Sequence, residues 1–141
     1  MKNIITALLL SLSLSSSFLH ASDSDFIKNM AHANPVPNYM SIIMANADKM
    51  GLNKEQKTKV MEWKKKNAKK MAAMVQSVID GESEIKSASM AGAPQTDIKV
   101  MSDKLMATRA SIIAGKTTCR DYMMNVLSDA QWKQLTDIIK A

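Results

Sequence analysis

Apolar residues recur every three or four positions along two long segments, and this spacing limits the fold more than any other feature. Neither segment contains proline; one follows Asn53 and the other covers about 96–126. Such spacing puts apolar side chains along one side of an α-helix. No segment shows the alternation of a strand, so the sequence predicts an all-α fold. The inward positions are Val60, Trp63, Met71, Met74, Val75, Val78 and Ile85 in the first segment, and Ile98, Met101, Leu105, Ile112, Cys119, Met123 and Val126 in the second.

About four helices are predicted, two of them long. The first covers about 37–49 and stops at Gly51, because glycine readily takes the left-handed conformation that commonly ends a helix. Gly81 is a position where the second helix could bend or break. Thr96 and Asp97 are the predicted cap of the third helix, and a short final helix follows Leu127.

The lengths of the two central helices predict the overall shape. Two helices of roughly 30 residues would each extend about 45 Å, which is longer than a compact domain of this size is wide. Such helices expose apolar flanks unless a second chain covers them. We therefore expect an elongated, curved helical hairpin that dimerises through its long helices, rather than a closed four-helix bundle, with an open monomer as the alternative.

The N-terminus has the three-part pattern of a secretory signal peptide. Lys2 precedes an apolar stretch from Ile4 to Leu14, and a serine-rich segment follows and ends at Ala21. The apolar stretch is about half the length needed to cross a bilayer. We therefore expect cleavage near Ala21, which would remove residues 1–21. The expected mature chain has a flexible arm over 22–36, a helical domain over 37–141 and no membrane span.

Positive charge narrows the choice of partners. Loss of residues 1–21 would remove Lys2 and no acidic residue, which lowers the net charge from +6 to +5. In an exported protein this charge favours acidic protein surfaces, unfolded chains and anionic envelope components over nucleic acid. No glycine-rich phosphate loop and no catalytic set of acid, base and nucleophile is present, so we expect neither a cofactor nor an enzyme.

A pentapeptide of one form occurs twice, each time at the start of a predicted helix. Each copy has leucine, a small polar residue, two variable positions and glutamine. The small polar residue can accept a hydrogen bond from the backbone of the helix, and the glutamine can reach back to it. One such cap stabilises a helix by about 1 kcal/mol, so a structural role is sufficient to explain the motif. Its residues are Leu52, Asn53 and Gln56 in the first copy, and Leu127, Ser128 and Gln131 in the second.

With these two pentapeptides on an exported helical chain rich in methionine and lysine, residues 37–140 resemble the CpxP/Spy family of periplasmic proteins with paired LTxxQ motifs. Asn53 departs from the usual Thr or Ser of the first copy but keeps a capping side chain. The resemblance implies a curved antiparallel dimer with a basic concave face. It also implies an ATP-independent chaperone or envelope-stress adaptor that binds unfolded or misfolded envelope proteins, with a sensor kinase as a further partner.

A run of lysines on the second helix is the candidate surface for such clients. Lysines attract acidic or partly unfolded chains at long range, and neighbouring methionines offer adaptable apolar contacts. The alternative is a solvated face with no binding role. The candidate client-binding residues are Met61, Lys64, Lys65, Lys66, Lys69, Lys70, Met71 and Met74.

The single cysteine and the single histidine of the expected mature chain leave several interpretations open. Cys119 falls on the apolar stripe, which favours a buried, inert thiol; an intermolecular disulfide is the next interpretation. His32 and Cys119, with methionines, are also candidate soft ligands for copper(I). Some relatives in the wider family group bind zinc or nickel, so the resemblance implies a periplasmic metal-binding, metal-resistance or metal-sensing protein as the alternative function. The spacing lacks the His pair or CxxC that organises a metal site in advance.

Overall fold

Four helices make up most of the chain over residues 34–141, the part that the structure, a computed structural model, describes. They are α1 (Tyr39–Asn46), α2 (Lys54–Met90), α3 (Gln95–Val126) and α4 (Asp129–Lys140). No strand occurs within this range. The all-α prediction with two long helices is therefore confirmed. The predicted signal peptide, His32 and all of the predicted arm before residue 34 lie outside the described residues.

Helices α2 and α3 form an elongated antiparallel hairpin. With 37 and 32 residues they are about 55 Å and 48 Å long at 1.5 Å per residue. Early residues of α2 contact late residues of α3, and the reverse holds further along. Trp63 stacks on Tyr122 near the open end, and Gly81 lies against Leu105 closer to the turn. Helix α2 continues through Gly81 without interruption, so the break that was expected as one possibility at this glycine is absent.

The turn between the long helices differs from the prediction at the start of α3. Helix α3 begins at Gln95 after Pro94, and no side chain caps it. The Pro94 carbonyl accepts from the backbone N–H of Asp97 and Ile98, at 3.0 and 3.2 Å. Thr96 therefore lies inside the first turn, where its hydroxyl donates to the Asp97 carboxylate at 3.3 Å. The predicted Thr96–Asp97 cap was wrong because the first turn closes on the proline carbonyl.

Within residues 34–141, two apolar clusters of unequal size stabilise the fold. The smaller one lies within the hairpin and contains Val78, Leu105 and Ile112. The larger one lies where α1 and α4 pack on the open end of the hairpin. Its buried members are Ile43, Met50, Leu52, Val60, Cys119, Met123, Leu127 and Leu135. We call the half of the hairpin around the turn, which α1 and α4 do not cover, the tip half.

Both repeated pentapeptides form complete capping boxes. Asn53 accepts from the Gln56 N–H at 2.8 Å and the Gln56 side chain accepts from the Asn53 N–H at 3.0 Å. The matching distances for Ser128 and Gln131 are 3.3 Å and 2.9 Å. The capping role that the spacing predicts is thus present at the starts of α2 and α4.

The two glutamines also bond to each other, and we call this pair the glutamine junction. Gln56 Nε2 donates to Gln131 Oε1 at 2.8 Å, and Gln131 Nε2 donates to Gln56 Oε1 at 3.2 Å. Gln56 Nε2 also donates to the carbonyl of Val126, the last residue of α3, at 2.9 Å. Gln131 Nε2 lies 3.3 Å from the Gly51 carbonyl, just before α2. Each glutamine therefore completes the cap of its own helix and also hydrogen-bonds to the glutamine of the other pentapeptide.

A double-mutant cycle should measure the coupling across the glutamine junction. We expect Gln56→Ala and Gln131→Ala each to lower the free energy of unfolding by about 1–3 kcal/mol, because each leaves part-buried polar groups without partners. The double variant should lose less than the sum, with a coupling of about 0.5–3 kcal/mol in urea titrations. Gln76→Ala is the control, since the exposed Gln76 side chain donates to Asp80 on its own helix. Additive losses would contradict a joint role.

Candidate functional site

The lysine run lies on the exposed sides of α2. Lys64, Lys65, Lys66, Lys69 and Lys70 are all exposed, since the uninterrupted helix distributes them around its outer surface. The inward positions of the same stretch are occupied by Trp63, Asn67 and Met71, which are partly buried. The exposed lysines therefore flank a stripe of partly buried residues that faces the rest of the molecule.

A groove of about 940 Å³ lies between α1, α2 and α3, and we call it the central groove. Four of the predicted client-binding residues line it, namely Lys64, Lys70, Met71 and Met74, and so does Cys119. The other lining residues come from all three helices. They are Asn38, Tyr39, Met40, Ser41 and Met44 from α1 and its cap; Trp63, Asn67, Ala68, Ala72, Val75 and Gln76 from α2; and Ser111, Ala114, Gly115, Lys116 and Thr118 from α3.

A second, shallower site lies on the outer side of α2, and we call it the outer depression. It measures about 830 Å³, and its predicted members are Met61, Lys64 and Lys65. Lys54, Lys57, Thr58, Glu62 and Ala68 complete its lining. Met61 is 52% exposed. Lys66 and Lys69 line neither site, so the predicted surface is divided between two sites that share Lys64 and Ala68.

Small residues on α3 open the central groove. Ser111, Ala114, Gly115 and Thr118 take up little space on the side of α3 that faces the groove. At Gly115 the helices approach closely, since a Cβ there would lie 2.9 Å from Met71 Cε. This face was not predicted, although its short side chains recur at helical spacing in the sequence.

Aromatic stacking fixes two walls of the groove. Trp63 stacks on Tyr122 with ring centroids 4.3 Å apart, which holds α2 against α3. Tyr39 stacks on Trp132 at 5.5 Å, which holds α1 against α4. The α1 wall, including Met40, was not predicted from the sequence.

All charged residues that line the central groove are lysines. Lys64 and Lys70 are exposed, whereas Lys116 is partly buried and its Nζ donates to the Val36 carbonyl at 2.9 Å. Burial lowers the pKa of Lys116, because the charged amine loses hydration. No carboxylate of residues 34–141 forms an ion pair with these three lysines. The described lining is therefore positively charged without local compensation.

Three neutral polar side chains of the groove are already bonded within their own helices. Asn67 Nδ2 donates to the Trp63 carbonyl at 2.9 Å. The Ser111 and Thr118 hydroxyls donate to the carbonyls four residues earlier, each at 3.0 Å. These three groups therefore have few donors to offer a bound molecule, and the three lysines are the charged donors of the described lining.

Cys119 lies at the floor of the groove, where it is 9% exposed. Burial raises the pKa of its thiol, and this effect exceeds the opposing hydrogen bonds with the Met40 backbone and the Trp63 side chain. The neutral thiol is a weak nucleophile, because the thiolate is the reactive form. The structure therefore gives Cys119 the surroundings of an unreactive core residue.

The predicted metal ligands are not brought together in the described part of the chain. Within residues 34–141, no three His, Cys, Asp or Glu side chains are placed to hold a metal ion, and His32 lies outside this range. Across the same residues, no helix combines the length and apolar character that a membrane span requires.

Comparisons with known proteins found no matching family model, no similar curated protein and no similar solved structure. The resemblance to the CpxP/Spy family therefore depends on the sequence features described above.

The reactivity of Cys119 is open to direct measurement. We expect an aromatic disulfide reagent to react slowly with the native protein and rapidly in urea, because burial restricts access and keeps the thiol protonated. The native rate should continue to rise with pH beyond the ordinary titration range of a thiol, since the folded-state pKa is raised. Ser111→Cys in a Cys119→Ala background is the control, with an exposed cysteine on the same helix. Equal native rates for the two cysteines would contradict the assignment.

Proposed function

We propose that this protein is a periplasmic, ATP-independent chaperone or envelope-stress adaptor of the CpxP/Spy type. In this proposal, unfolded or misfolded proteins bind to the basic, methionine-rich surface of α2. The observation that carries the proposal is that the five lysines are exposed around methionines that remain accessible at two open sites. Export depends on the predicted signal peptide over residues 1–21.

The arrangement supports binding in two stages. Exposed lysines attract an acidic or partly unfolded chain over about 10 Å at moderate salt, before any close contact forms. Methionine side chains then make apolar contacts, and their flexibility allows them to fit different sequences. Met61 serves this role in the outer depression, and Met71 and Met74 serve it at the central groove. Neither stage requires nucleotide hydrolysis.

The outer depression supplies the more accessible part of this surface. One of its lysines, Lys57, is already paired with Asp48 at 2.7 Å. This pairing lowers the pKa of the Asp48 carboxyl and offsets one positive charge. Lys64 and Lys65 form no ion pair with a carboxylate of residues 34–141. Clients should therefore meet the uncompensated charge next to Met61.

Client binding can be tested by light scattering of a denatured protein as it aggregates. We expect near-stoichiometric mature protein to suppress the scattering, and Lys65→Gln, Lys66→Gln and Lys69→Gln together to weaken suppression several-fold. Lys99→Gln, Lys104→Gln and Lys133→Gln remove the same charge from α3 and α4 and serve as the control. Loss of suppression should also follow added salt, since the attraction is screened. Absence of suppression by the unaltered protein would rule out the chaperone role.

We also propose an antiparallel homodimer. Within residues 34–141, the tip half consists of α2 and α3 and leaves large apolar side chains exposed, with Met90 at 79%, Val100 at 68% and Met106 at 55%. A second chain that covers them would remove apolar surface from water, which favours association.

Sedimentation velocity tests the dimer. We expect the mature chain to sediment as a dimer and Met106→Glu to shift it toward the monomer, because a charge in an apolar interface lacks compensation. Met124→Glu is the matched control, since Met124 is also 50% exposed but lies at the opposite end of α3. A monomer at all concentrations, or equal shifts in both variants, would contradict a dimer through the tip half.

A further inference from the structure

The central groove has the size and shape of a small-molecule site. Its volume of about 940 Å³ falls within the range of ligand sites, roughly 300–1,000 Å³. Its lining runs along α2 from Trp63 to Gln76, which spans about 20 Å at the rise of a helix. A narrow site of this length between helices fits one extended chain.

Charge defines one end group of the occupant. Three side chains of the described lining are charged at neutral pH, and all are lysines: Lys64, Lys70 and Lys116. An anionic group satisfies them, whereas a neutral or cationic group does not. Lys116 is the most sheltered of the three, so a carboxylate beside it gains the most from reduced hydration.

The need for hydrogen-bond partners favours an acyl chain over a peptide as the occupant of the central groove. A peptide carries a backbone N–H and C=O at each residue, and these need partners when they leave water. The walls are helices whose backbone groups are bonded internally, and Asn67, Ser111 and Thr118 donate to their own helices. An acyl chain makes no such demand. It also suits the methionines of α1 and α2, which can adjust to a flexible methylene chain.

We propose that the central groove binds a fatty acid, with the carboxylate beside Lys116 and the acyl chain along α2 between Met40 and Met71. This activity goes beyond client binding. It shares Met71 with the proposed client surface, but it adds Lys116 and the α1 wall and does not need the exposed lysines Lys65, Lys66 and Lys69. Binding would therefore persist in a protein without chaperone activity, and the two proposals can fail separately.

Calorimetric titration of the mature chain with dodecanoate, below the concentration at which it forms micelles, tests the proposal. We expect saturable binding at one site, with affinity rising about fourfold for each added methylene over decanoate, dodecanoate and tetradecanoate. Dodecanol should bind about tenfold more weakly, because it lacks the charge that the lysines contact. Equal affinity for the alcohol and the acid, or absence of saturation, would overturn the proposal.

Two pairs of variants locate the site. Lys116→Gln should weaken dodecanoate binding about tenfold, whereas Lys66→Gln, which lies outside the groove, should leave it unchanged. Ala114→Phe should block the chain by filling the groove, whereas Ala110→Phe on the same helix should not, since Ala110 is outside the lining. Circular dichroism confirms that each variant folds. Equal effects within either pair, or complete displacement of dodecanoate by an acidic peptide that binds more tightly, would overturn the assignment.

Discussion

The reciprocal hydrogen bonds between the Gln56 and Gln131 side chains are the interaction on which the rest of the structure depends. Each glutamine completes the first turn of its own helix, so the same side chain fixes where a helix begins and what lies beside it. Together they bring the start of α2 to the end of α3, which closes the open end of the hairpin. The larger apolar cluster and the α1 wall of the groove are built on that closed end.

The sequence predicted those parts of the fold that depend on local chemistry. Apolar spacing predicted α2 and α3, and the pentapeptides predicted two capping boxes, because each rule concerns residues within one or two turns. The pairing of Gln56 with Gln131 involves residues 75 positions apart, and no local pattern reports such a contact. A local prediction also failed at the start of α3, where Thr96 is a good capping residue but the helix begins after Pro94, two residues earlier.

The candidate site was only partly predictable for the same reason. The lysine run and Met71 were recognisable from composition along one helix. A groove needs walls from several helices, and Met40, Gly115 and Lys116 enter it only because α1 and α3 pack beside α2. The sequence also predicted the lysine run as one surface. In the helix, Lys66 and Lys69 line neither the central groove nor the outer depression. The burial of Cys119 follows from the same packing, because α1 and Trp63 enclose its sulfur.

The unequal apolar clusters imply that cooperativity is not uniform along the molecule. The closed end gains from four helices, aromatic stacking and the glutamine junction, whereas the tip half has a smaller cluster and the ion pair between Arg109 and Glu82. The free energy of local opening should therefore fall from the closed end toward residues 91–94. Hydrogen exchange along α2 and α3 would then show a gradient within each single helix, so that one continuous helix belongs to two units of different stability.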